Sequence, residues 1–200
     1  MMFRCGPLGC LTSLPSVCLV RTKNPRRLPG LARPLGAVTT VPLLGGTPTT
    51  LFSGPGAPQC VATDGLNIYL GMHDATGGVL RLPVGGGNPT TLATGQWANY
   101  VTVDSTEVYW TSGSTVMKVS RGGGTPTTVA SGQGSTWAIA VDSTSVYWTN
   151  VSGPIMKVPI GGGTPTTLAT GPYANSIAVD STSVYWTVSS AGTVMKLTPK

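Results

Sequence analysis

The side chains able to do chemistry on a substrate are few: one histidine (His73), one glutamate (Glu107), five aspartates and four cysteines in 200 residues. His73 and Asp74 are neighbours and so a candidate acid–base dyad, but adjacent residues on the glycine-flanked loop Gly71–Gly78 usually face apart. Three glycine runs, at Gly85–Gly87, Gly122–Gly124 and Gly161–Gly163, invite a phosphate-loop reading. A phosphate loop needs a lysine entering a helix, whereas each run here leads into Pro-Thr-Thr, so a tight turn requiring positive φ is expected. Asp64, Asp104, Asp142 and Asp180 recur, and the last three are each followed by Ser-Thr. That pattern predicts an Asx turn between strands, not a metal ring, because a cation needs several converging oxygens. Cys5, Cys10, Cys18 and Cys60 lack the spacing of a metal site or a disulfide framework, and Cys60 is expected to be a buried thiol. No catalytic residue, metal or cofactor is expected.

The aspartates recur because the chain is repetitive. Their spacings are 40, 38 and 38, matched by Tyr69-Leu70, Tyr109-Trp110, Tyr147-Trp148 and Tyr185-Trp186. Leu80-Arg81, Met117-Lys118, Met156-Lys157 and Met195-Lys196 follow in order, and prolines at 48, 89, 126 and 165 open the Pro-Thr-Thr segments. Four anchors in constant order establish a tandem repeat. Each unit reads as four short strands, A to D, rich in Val, Ile, Thr, Tyr and Trp and divided by Gly, Pro, Asn, Asp and Ser. Val-Tyr-Trp-Thr in strand B is large on both faces, as in a sheet packed on both sides. Strand A is small, strand D is Thr-rich, and no helical apolar spacing occurs.

A period near 40 residues with four strands predicts an all-β fold, a β-propeller of four-stranded antiparallel blades. Blade units are expected at about 60–94, 100–130, 137–169 and 176–198, with 38–52 supplying an extra or closing strand pair, in a domain of residues 37–200. Two arrangements remain open: an arc of a larger ring, or a four-blade ring closed by pairing 47–52 with 193–198.

Net charge is +6, yet residues 1–36 carry six basic side chains and no acid, leaving the repeats neutral. This Pro-containing arm is expected to be disordered, and a nucleic-acid or anionic-membrane role would have to reside there; neither is expected. No segment has the length and apolarity of a membrane span, and Arg4 with the proline-broken run that follows makes an atypical export signal.

The units Ile139-Ala-Val-Asp142, Val146-Tyr-Trp-Thr149, Ile155-Met-Lys-Val158 and Gly161-Gly-Gly resemble YWTD-type propeller repeats. Such repeats occur in low-density-lipoprotein-receptor ectodomains, with related ones in bacterial exported proteins. The resemblance covers about residues 38–200 and implies a six-bladed, extracytoplasmic or secreted ring that binds a protein or other ligand. The final Asp of the motif is absent here, its place taken by Ser112, Asn150 and Val188, so the link that Asp makes is not carried over.

Variation between units concentrates in the D–A loops, where Gln96, Trp97, Asn99, Tyr100, Trp137, Tyr173 and Asn175 form the candidate binding set for a protein or glycan. The opposing expectation is that Trp97, Trp137 and Tyr173 fill the central channel. A non-enzymatic binding scaffold is the leading reading. A lyase or hydrolase with a site in the axial funnel, or a structural fragment of a longer six-bladed protein, are the alternatives. Self-association through an unclosed blade face is a further expectation.

Overall fold

The computed structural model describes residues 36–42, 46–54, 56–74, 77–151, 153–171 and 173–200, with the backbone of Val17 and Cys18. The expected disorder of the arm therefore falls almost wholly outside the described residues. Everything described is strand, turn or loop.

Three complete four-stranded antiparallel sheets follow one another. Blade 1 comprises β4 (Pro58–Thr63), β5 (Asn67–Met72), β6 (Gly78–Pro83) and β7 (Thr90–Thr94). Blade 2 comprises β8 (Tyr100–Val103), β9 (Glu107–Ser112), β10 (Thr115–Ser120) and β11 (Thr127–Ala130). Blade 3 comprises β12 (Thr136–Val141), β13 (Ser145–Asn150), β14 (Ile155–Pro159) and β15 (Thr166–Ala169). Blade 4 has only β16 (Ala174–Val179), β17 (Val184–Val188) and β18 (Thr193–Leu197). Ahead of blade 1 lies a three-stranded sheet of β1 (Val17–Cys18), β2 (Gly36–Thr40) and β3 (Thr49–Gly54). The inner strands β4, β8, β12 and β16 pack in succession. β3 pairs with β2 and β18 with β17 alone, so the sheets form an open arc.

Strand B explains the stacking. Alternation sends consecutive side chains to opposite faces, and here both are aromatic. Trp110 packs against Tyr69, Val79 and Cys60 of the blade before it, while Tyr109 packs with Ile139, Val146 and Trp148 of the blade after it. Tyr147 in turn meets Ile177 and Val184 of blade 4. Trp110, Trp148, Tyr69, Tyr109 and Tyr147 are fully buried. Truncating such a ring costs about 3–5 kcal/mol, so the seams between blades are the core. Blade 1 adapts the pattern: Leu70 replaces the tryptophan, and a Cβ on Gly71 would come within 2.4 Å of Cys60 Sγ. Burial pushes the Cys60 thiol up to about 12.

The repeated aspartate makes the expected Asx turn. Asp104 Oδ1 accepts the amides of Thr106 and Glu107, both at 2.7 Å, and Asp142 Oδ1 accepts those of Thr144 and Ser145 at 2.7 and 2.8 Å. The second oxygen takes the tyrosine hydroxyl five residues on: Tyr69 to Asp64 at 2.8 Å, and Tyr109, Tyr147 and Tyr185 to their own aspartates at 2.9 Å. Two cations then cross to the preceding blade. Arg121 pairs with Asp64, donates Nε–H to the Tyr69 hydroxyl at 3.0 Å and holds the Ser105 carbonyl at 2.8 Å. Lys200 pairs with Asp142.

The glycine runs are C–D turns, as expected: Gly123 donates its amide to the Ser120 carbonyl at 2.8 Å. Gly124 has φ +134° with nothing within 4 Å of an added Cβ, so its requirement is purely conformational. Gly122 has no such φ, and its nearest neighbour would be Ser120 Oγ at 3.7 Å. Gly124→Ala is therefore predicted to cost about 1–3 kcal/mol, and Gly122→Ala to stay within about 0.5 kcal/mol, by urea unfolding.

At Asp104 burial opposes ionisation, but the amides of Glu107 and Thr106 and the Tyr109 hydroxyl outweigh it and hold the carboxyl low. Asp142 behaves likewise, with burial outweighed by Lys200 and the turn amides. Asp180 is brought down to about 2, chiefly by the Thr182 amide and the Tyr185 hydroxyl. Folded values below the ordinary 3.8 mean stability that is present above that pH and lost as pH falls through the folded values. Melting temperature by circular dichroism is predicted to fall between about pH 4 and pH 2, less steeply in Asp180→Asn.

Candidate functional site

Because strands alternate in direction, D–A loops and B–C turns leave the arc on one face, and A–B and C–D turns on the other. Backbone bonds join the loops of the first face: His73 N–H to the Ala57 carbonyl at 2.9 Å, Ala98 to Met72 at 3.1 Å, and Val151 to Ser135 at 2.8 Å. The opposite face holds the four turn aspartates with Arg121 and Lys200. On the loop face, among the described residues, only His73 and Asp74 carry ionisable groups other than tyrosine. The fold thus separates a charged turn face from a neutral, aromatic loop face.

Asp74 is a loop staple. Its Oδ2 accepts the Ala57 amide and its Oδ1 the Gly77 amide, both at 3.0 Å. His73 is turned to the other candidate element, its ring 5.0 Å from Trp97 at a 35° tilt. The Asp74 carboxylate is spent on the loop that presents this ring pair.

The seven candidate residues divide by environment. Trp97 and Tyr173 are 58% and 53% exposed. Tyr100 packs against three of the four core clusters and meets Trp137 edge-on, with ring centroids 5.5 Å apart. Burial pushes the Tyr100 hydroxyl pKa up. The Trp137 carbonyl accepts the Thr111 hydroxyl, fastening this pair to strand B of blade 2. Asn99 donates Nδ2–H to the Thr136 carbonyl at 3.2 Å, and Asn175 Oδ1 accepts the Ser189 amide at 3.4 Å. Gln96 is half-buried, and its buried Oε1 accepts no hydrogen bond from a described residue. Trp137 thus packs against Tyr100 and the core beside blade 3, while Trp97 and Tyr173 stand outward. Tyr173 also has φ +24°, a backbone conformation uncommon outside glycine. His73 joins the outward set; only the shared exit of the B–C and D–A loops could have pointed to it.

No group of three or more His, Cys, Asp and Glu able to hold a metal occurs among the described residues, and no helix there is long and apolar enough to cross a membrane. A small cavity by blade 4 is lined by Ile155, Ala169 and Trp186 among others.

No protein-family model matches this chain, and no curated protein does. Solved structures do. A chain from a nidogen/laminin complex superposes with TM-score 0.62 at 14% identity, covering 83% of this chain and 87% of that one. The computationally designed Ika4 protein gives 0.63 at 16%, covering 75% and 96%, and the designed Ika8 protein 0.63 at 17%, covering 84% and 56%. The fold is a β-propeller. It is left open rather than closed into a ring.

The two halves of the aromatic set should respond differently. Tyr100→Ala is predicted to cost about 3 kcal/mol and Trp97→Ala less than about 0.5 kcal/mol, measured by chemical denaturation.

Proposed function

We propose that this propeller arc is a non-enzymatic scaffold of YWTD type, working outside the cytoplasm, whose loop face holds a protein partner. The reading is carried by one observation: Trp97 and Tyr173 stand more than half exposed on a neutral face whose supporting residues are fixed in the core. Large aromatics over a rigid base contribute contact area at low entropic cost, and such residues dominate interface energetics. His73 against Trp97 extends the platform. The aspartates that an axial-funnel enzyme would use are engaged in turns and interblade pairs. A structural relative whose crystal structure is a complex with laminin agrees with a protein partner by analogy of fold.

The test compares the chain with a Trp97→Ala/Tyr173→Ala double variant, both immobilised and offered the secreted proteins of the source cell. A saturable partner retained by the parent and lost by the variant, at equal melting temperature, is the expected result. Equal retention by both, or binding confined to a neutral glycan array, would set the protein-binding reading aside.

A further inference from the structure

We infer that two copies of this chain associate by exchange at their open ends, β16–β18 of each copy completing a blade with β3 of the other. This surface is separate from the loop face and does not rest on the reading given to it.

The two ends are complementary fragments of one blade. β16–β18 pairs strands A, B and C, and no strand D pairs with it among the described residues. Its forward face repeats the interblade pattern with no described residue packed over it: Val194 is 73% exposed and Met195 43%, where Val116 and Met117 of blade 2 are buried. The outer edge of β18 offers unpaired backbone donors and acceptors to an incoming strand.

The complete blades specify that strand. Thr128 lies opposite Met117 and Thr127 opposite Lys118; Thr167 lies opposite Met156 and Thr166 opposite Lys157. The first threonine of each pair donates its hydroxyl to the methionine sulfur, at 3.3 Å in both blades. Met195-Lys196 therefore calls for a Thr-Thr strand. β3 has that sequence, and Thr50 and Thr49 pair with Thr39 and Thr40 of β2 in the same register. β2 thus occupies a strand C position, backed among the described residues by the two residues of β1.

Replacing β2 by the partner's β18 leaves β3 where it is. It also sets Val194 in the place of Val38, against Ile68, Leu70 and Leu82 of blade 1. Both open faces are covered in one step, and a reciprocal exchange closes with two-fold symmetry. The structure keeps β3 on β2 and pairs β18 with β17 only, and the Thr-Thr register of β3 fits Met195-Lys196, so the occupant we infer is the β3 of a second copy.

The test is a cysteine pair, Thr50→Cys with Met195→Cys, in a chain whose Cys5, Cys10 and Cys18 are serine. Opposed strand positions match disulfide geometry. Oxidation is expected to give a covalent dimer from the pair and none from either single variant. A disulfide within one chain, a dimer from Met195→Cys alone, or no disulfide would each overturn the proposal. Light scattering on the unsubstituted chain should give twice 20.4 kDa, and Val194→Asp should return it to 20.4 kDa. A 20.4 kDa mass for the unsubstituted chain at every concentration would equally overturn it.

Discussion

Everything in this arc follows from one constraint: strand B places a large side chain on each of its two faces, aromatic on both in blades 2 to 4, so no blade can bury its own core. Trp110 needs blade 1 and Tyr109 needs blade 3. Stability is then a property of seams, close to the nearest-neighbour behaviour of repeat proteins. The constraint also accounts for the half-exposed state of Tyr185 in blade 4, which corresponds to the buried Tyr147 but has no following blade against it among the described residues.

The tyrosine links packing to electrostatics. Its ring lies in the seam and its hydroxyl reaches the turn aspartate, so the Asx turn and the interblade core fix each other. Arg121 and Lys200 extend that link across two seams, at Asp64 and Asp142. The seam between Asp104 and blade 3 has Ile160 where blade 2 has Arg121, and relies on packing. Drawing the charges to the turn face leaves the loop face neutral and aromatic. Function is therefore sought where architecture makes the fewest demands.

The repeat, the strands and the open or closed alternatives were legible because period, strand alternation and glycine turns are local patterns. The Asx turn was legible for the same reason. The Asp-to-Tyr bond was not, although its five-residue interval is constant, because the turn aspartate and the strand B tyrosine meet only once the turn is formed. Arg121 was less accessible still, since its partner is 57 residues away. The size exchange between Cys60 and Gly71 shows as an exception in each aligned column, but pairing them required the register. Among the loop aromatics, neighbouring residues did not distinguish Trp97 from Trp137. The difference lies in Tyr100 and Thr111, which hold Trp137 down and have no counterpart at Trp97.

The seam account is tested most directly by fluorine NMR of the chain labelled with 5-fluorotryptophan, comparing shifts in light and heavy water. Trp110 and Trp148, fully buried between blades, should show no solvent isotope shift, Trp97 a large one, and Trp186 an intermediate one. Solvent shifts at Trp110 and Trp148 equal to that of Trp97 would mean that strand B does not lie between packed sheets, and the architecture described would be wrong.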